Sequence, residues 1–248
     1  MGKKKPFQLF FQNGLGVYTG AVDETKIHTH FATEIIIGLD GPFLLQETNK
    51  ESLCHSVLIP HKVAHRFVQH GCKQPLFIFL DPFHHLSQQL VNHFCLKEES
   101  VLLDQFLTGN QMTLIQNWAN EFNNVVSNVE TFVGQLTGDD TSLPTIDPRI
   151  IKSINHIKNS LHKEMKLDQM ADLIHLSPSR YAHLFKEQVG IPFRRFVLWT
   201  RMQATIGSIL NGQSLTTACY VGGFSDLPHF SKIFVEMFGV APSSVIKG

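Results

Sequence analysis

FSDLPHFSKIFVEMFGVAP, Phe224–Pro242, brings the chain close to its end with an apolar, aromatic run that stops at a glycine. The spacing predicts a helix. Phe230, Ile233 and Phe234 share a face at i, i+3 and i+4, and Gly239 stands where a helix would end. The same stretch occurs once before. Shifted by 49 residues, PSRYAHLFKEQVGI (Pro178–Ile191) lies over LPHFSKIFVEMFGV (Leu227–Val240). Tyr181 then meets Phe230, His183 meets Lys232, Leu184 meets Ile233, Phe185 meets Phe234, Glu187 meets Glu236 and Gly190 meets Gly239. Agreement of aromatic, basic, aliphatic, acidic and glycine positions in one order marks an internal duplication.

Both copies sit in a basic half. Residues 148–248 hold 12 Lys and Arg against 6 Asp and Glu, a balance of +6, whereas residues 1–147 hold 9 against 15, a balance of −6. The net charge of zero conceals this. A basic half built on a repeated helical unit points to a polyanionic partner.

The copies share a plan. Asp147-Pro148 starts a helix with the stripe Ile150, Ile151, Ile154, Ile157 and Leu161. Asp168 caps a short helix through Ile174, and a second helix runs from Pro178 to about Val189. A long helix spans Pro192–Leu210. Ser214–Gly222 and Leu227–Phe238 then repeat the short helix, tight turn and longer helix. This arrangement offers the second helix to a major groove. With Tyr181, Leu184 and Phe185 buried, Ser179, Arg180, Ala182, His183 and Lys186 face outward. In the second copy Leu227, Pro228, His229 and Lys232 do so. Arg donates twice to guanine, and small or apolar side chains meet the thymine methyl. Two such units could read successive grooves about 34 Å apart, with Lys186, Arg194 and Arg195 neutralising the backbone.

The segments LSPSRYAHLFKEQVGIPF (Leu176–Phe193), the pair Arg201-Met202, and GFSDLPHFSKIFVEMFGVAPS (Gly223–Ser243) resemble the AraC/XylS family of bacterial transcription regulators. The resemblance covers residues 148–248. It implies two helix-turn-helix motifs joined by a linker helix, a cytoplasmic protein, and sequence-specific binding of double-stranded promoter DNA. Base-reading positions of the family fall on Ser179, Arg180, Ala182 and His183, and on Leu227, Pro228, His229 and Lys232. A homodimer, a small-molecule effector and, for an activator, RNA polymerase are the further partners it implies. The sequence departs from the family at three places. Val235-Glu236 replaces a basic pair, Thr217-Ala218-Cys219 replaces Glu-Ile-Ala, and Thr205 replaces a small residue.

The first 80 or so residues read differently. TEIIIGL, FLLQET, HSVLI and PLFIFL are short strands punctuated by Gly, Pro, Asp and Asn, the pattern of an antiparallel barrel or sandwich. Helical spacing follows in Leu86, Leu90, Val91 and Phe94, in Leu102, Leu103, Phe106 and Leu107, and in Leu114, Ile115, Trp118 and Phe122. The Gly/Pro/Asp/Thr-rich stretch GQLTGDDTSLPTIDP (Gly134–Pro148) is read as a loop, and within it 137–147 is the expected linker between a domain over 1–136 and one over 148–248. The fold class expected is α+β: a cupin-like β-barrel followed by helices, then an all-α domain with two helix-turn-helix motifs.

IHTHFATEIIIGLDG (Ile27–Gly41) and IPHKVAHRFVQ carry the other signal. His28 and His30 alternate along an extended segment and so point the same way. Glu34 and His65 brought alongside would complete a site of three His and one carboxylate for Zn, Fe, Mn or Ni. The pattern resembles both cupin motifs, with Lys62 where glycine is expected and Gln69 where asparagine is common. A dioxygenase or isomerase of the metal-dependent cupin type, with a non-functional DNA-binding domain, is the alternative reading. The absence of GxSxG, phosphate-loop and paired Cys/His nucleophile motifs favours a regulator without catalytic residues. No apolar run approaches the ~20 residues of a membrane span. Cys54, Cys72, Cys95 and Cys219 lack metal-finger spacing and are expected as reduced thiols.

Overall fold

The computed structural model describes residues 7–138, 146–162 and 164–245. The chain divides into two compact units, one holding 1–143 and 235–245, the other 144–234. The expected linker falls mostly on 139–145, outside the described residues.

The first unit opens with eight strands: β1 Gln8–Gln12, β2 Leu15–Thr19, β3 Thr33–Gly38, β4 Phe43–Glu47, β5 Lys50–Cys54, β6 Ser56–Ile59, β7 His65–Gln69 and β8 Pro75–Leu80. Helix α1 (His85–His93), strand β9 (Val101–Leu102) and helices α2 (Gly109–Glu121) and α3 (Val125–Thr137) follow. One sheet has the order β1-β2-β8-β3-β6-β9 and the other β5-β4-β7, with antiparallel pairing throughout. Strand alternation sorts the residues of β3 and β8 between two faces. Ile35, Ile37, Leu76, Ile78 and Leu80 join Leu86, Leu90, Ile115, Trp118, Val129 and Phe132 in a core beneath α1–α3. Glu34 pairs with Phe79 and Ile36 with Phe77 on the opposite face, and there Phe77 meets Phe67 of the second sheet at 5.4 Å.

Three expectations for this unit need correction. The two sheets do not close into a barrel among the described residues. The segment that runs alongside β7 makes only the isolated bridges Glu24–Val68 and His28–His65. The ladder is broken because Phe67 N–H donates to the Thr25 hydroxyl, 2.9 Å away, instead of to backbone. Leu102–Leu107 is not a helix. β9 pairs with β6, and Asp104 accepts from the Ser56 N–H at 2.6 Å and its hydroxyl at 2.8 Å, holding an apolar turn against the sheet. Conversely, α3 occupies Val125–Thr137, where the sequence reading placed no helix and, from Gly134 onward, a loop; Val125, Val129, Phe132, Val133 and Leu136 are its buried stripe.

Helices α4 (Pro148–Lys158), α5 (Leu167–Leu173), α6 (Pro178–Val189), α7 (Phe193–Leu210), α8 (Leu215–Val221) and α9 (Leu227–Phe238) come next, ahead of the short α10 (Pro242–Val245). Asp147 caps α4 by accepting from Arg149 N–H at 2.8 Å. Asp168 does not cap α5. Its N-cap is Lys166, and Asp168 lies in the first turn, where a negative charge still suits the helix dipole. Around α6, Phe185 packs its ring against Tyr181, Phe193 and Phe196. The Tyr181 hydroxyl bonds that of Ser153 at 2.6 Å in the same core. Gly222 explains how Thr205 is tolerated inside α7: a Cβ at 222 would lie 1.9 Å from the Thr205 hydroxyl.

Candidate nucleic-acid interface and metal centre

The duplicated sequence folds into duplicated helices. α6 and α9 each have 12 residues, and each ends at a glycine in the left-handed region, Gly190 at φ 77° and Gly239 at φ 68°. A side chain is disfavoured there, which accounts for the glycine that closes each copy. Ser177 accepts from Arg180 N–H at 3.3 Å to start α6, and Asp226 accepts from His229 N–H at 2.7 Å to start α9. Tyr181, Leu184 and Phe185 are buried, as are Phe230 and Phe234, with Ile233 half-buried.

The opposite faces are open. Ser179, Arg180, His183, Lys186, Arg194 and Arg195 are exposed and Ala182 is half-buried. Pro228, His229 and Lys232 are exposed and Leu227 is half-buried. His183 lies 3.6 Å from the Glu187 carboxylate one turn on, and the His229 ring packs edge-on against Phe224 at 5.5 Å. Of the two residues in place of a basic pair, Val235 is half-buried and Glu236 exposed. The outward face of α9 is therefore less cationic than that of α6.

The second constellation forms between the two sheets. β3 contributes Glu34, β7 contributes His65, and the extended segment before β3 contributes His28 and His30. All four are buried, at 6% exposure or less, and their candidate ligand atoms lie within 4.8 Å of one another. Each imidazole is held by its Nδ1, at 2.9 Å from Lys26 O for His28, 2.8 Å from Ala32 O for His30 and 2.9 Å from Val63 O for His65. A carbonyl oxygen can only accept, so Nδ1 carries the proton. Backbone orientation of a His through one nitrogen, leaving the other to bind, is the arrangement of metal-ligating imidazoles. These carbonyls are functional groups that the sequence reading missed. Backbone oxygens carry no side-chain signature, so only the fold reveals them.

The Nε2 atoms meet Glu34. His30 Nε2 lies 2.7 Å from Glu34 Oε2 and His65 Nε2 2.9 Å from the same oxygen. The second contact is too poorly aligned for a hydrogen bond, so His65 Nε2 is a buried nitrogen without a hydrogen-bond partner. Burial and repulsion from His65 and His30 push His28 down to about 3, so it is neutral at physiological pH. Burial alone would raise Glu34, but the charge and hydrogen bond of His30, with the charge of His65 beside it, hold it well below the usual carboxylate range. Burial would lower His65, yet its contact with Glu34 raises it. The cluster therefore sets three imidazoles around an ionised carboxylate, with all four ligand atoms converging. Three imidazoles and one carboxylate fit a first-row divalent metal.

Lys62, where glycine is expected, has φ 70° and donates its N–H to His30 O at 2.9 Å. The turn keeps its shape without the glycine. Among the described residues no helix is long and apolar enough to cross a membrane.

A family model described as a helix-turn-helix domain matches residues 170–248. The "Probable transcriptional regulator LumQ" of Photobacterium leiognathi is 24% identical over 237 residues, covering 90% of this chain and 92% of that protein. The arabinose operon regulatory protein of Escherichia coli K12 is 29% identical over 107 residues, covering 42% of this chain and 37% of its own length. The crystal structure of ToxT from Vibrio cholerae with an unsaturated fatty acid bound matches with a TM-score of 0.60 at 13% identity, over 99% of this chain and 97% of that one, a likeness of fold. Residues 170–248, with the duplicated helices and the basic charge, thus match a helix-turn-helix domain, and the chain over most of its length is similar to a protein named a probable transcriptional regulator.

Proposed function

We propose that the chain binds promoter DNA through two helix-turn-helix motifs, α5–α6 and α8–α9, and that its sheet unit is a cupin-like sensor whose effector is a divalent metal. The observation carrying the DNA reading is the outward face of α6. Ser179, Arg180, His183 and Lys186 stand exposed opposite the buried face of Tyr181, Leu184 and Phe185. Arg180 and His183 read bases there, with Ala182 and Ser179 in close approach, and Lys186, Arg194 and Arg195 neutralise phosphates. α9 reads a second groove through Leu227, Pro228, His229 and Lys232. Glu236 on its surface makes its hold on the backbone the weaker of the two.

His28, His30, Glu34 and His65 would hold Zn, Fe, Mn or Ni. The convergence of the four ligand atoms within 4.8 Å and the three carbonyl-held rings support this. ToxT, with its bound fatty acid, is a precedent for a chain of this fold taking a small molecule. The relatives named above are regulators, which weighs against a role in turnover for the cluster.

The test is selection of preferred sequences from random duplex DNA by the full chain, followed by Arg180→Ala. On the selected site the variant should lose about 1–3 kcal/mol of specific affinity, roughly 5- to 150-fold. An equal loss on all DNA would make Arg180 a phosphate contact, and failure to select any sequence would overturn the reading.

A further inference from the structure

The segment that carries His28 and His30 also ends a helix. Within the first unit, Lys26 N–H donates to Gly239 O at 2.8 Å and Thr29 N–H to Glu236 O at 3.4 Å. Carbonyls at the end of a helix lack intrahelical donors. Here two of them, at the end of α9 and its capping glycine, take theirs from the residues flanking His28. The fit is tight. A Cβ on Gly239 would lie 2.7 Å from His28 Nδ1, from Lys26 O and from Thr25 Cβ. Lys26 O is the same atom that holds the His28 ring, at 2.9 Å. A second line of contact runs through aromatic rings: Phe238 packs edge-on against Phe79 at 5.4 Å, and Phe79 against His30 at 5.6 Å.

His30 and His65 both contact Glu34 directly. His28 makes no such contact; it is held to the backbone at Lys26. Coordination would therefore add a bond on the one imidazole that touches the capping glycine. Resting on the metal reading above, we infer that a divalent metal held by His28, His30, Glu34 and His65 stiffens Lys26–Thr29 and thereby tightens its backbone grip on the carboxyl end of α9, so that Val235–Val245 senses metal occupancy. The device is a strap: amides of this extended segment close on helix carbonyls, and the imidazole beside them reports the ion.

The experiment uses the full chain, with Co(II) as the metal. Visible absorption of the bound ion measures binding, and amide hydrogen exchange measures the strap. Cobalt should slow exchange in 235–245 by about tenfold, as expected when a local opening equilibrium is linked to a bound ion. His28→Ala should abolish that slowing while the other three groups still give a weaker cobalt signal. By reciprocity, Gly239→Ala, which removes no ligand, should weaken cobalt binding about tenfold. Cobalt absorption without slowed exchange in 235–245 would overturn the strap and leave the metal site standing. No cobalt absorption at all would overturn the metal reading and the strap together. A folded Gly239→Ala with unchanged cobalt affinity would also sink the strap; if that variant fails to fold, the exchange of the unsubstituted chain decides.

Discussion

His84 shows how one side chain ties stability to pH. It is the N-cap of α1, where its Nδ1 accepts from Leu86 N–H at 3.4 Å. Burial, and then the neighbouring His85, push it from the ordinary 6.5 down to about 4. Between those values the unfolded chain binds a proton that the folded chain refuses, so the stability His84 contributes is lost as pH falls from about 6.5 to about 4. His84→Asn keeps an acceptor at the cap and removes the titration. Its urea midpoint should therefore fall less than that of the unsubstituted chain between about pH 7 and about pH 5; equal slopes would refute the assignment. Lys62 makes a complementary point. Its φ of 70° costs roughly 1 kcal/mol for a residue with a Cβ. The strain was legible in advance, because the cupin pattern asks for glycine at that position.

At the scale of the element, the repeat governed what could be read. α6 and α9 follow from i, i+3, i+4 apolar spacing and a terminal glycine, both local signals. Ser177 is part of that local code. Ser177→Ala removes the hydroxyl that accepts from Arg180 N–H and should cost about 1 kcal/mol of stability, measurable by chemical denaturation. A loss below a few tenths would mean that packing alone sets the start of α6. Leu102–Leu107 misled because four apolar residues at helical spacing can equally line a turn pinned to a sheet. Only Asp104, reaching residues 48 positions back at Ser56, decides between them. α3 escaped notice because Gly134 and the polar stretch after it look like a loop, although its stripe of Val125, Val129, Phe132, Val133 and Leu136 is complete.

At the scale of the whole molecule, binding of an ion to the folded state alone must raise stability. Cobalt at about 100 times its dissociation constant should stabilise the sheet unit by about 2.7 kcal/mol. The effect should disappear in Glu34→Gln, which removes the anionic ligand, and its persistence there would place the ion elsewhere. The sequence by itself determined the duplicated helices, the faces they expose, the charge difference between the halves and the residue types of the His/Glu cluster, because each is written in neighbours a few positions apart. Only the tertiary structure decided that two separate sheets lie where one barrel was expected. It also brought Glu34 and His65 together from opposite sheets, fixed the imidazoles on the carbonyls of Lys26, Ala32 and Val63, and set Gly239 against His28. The physical reason is that strand pairing and backbone hydrogen bonds join residues distant along the chain through groups that every residue shares, and these leave no periodic mark on the sequence.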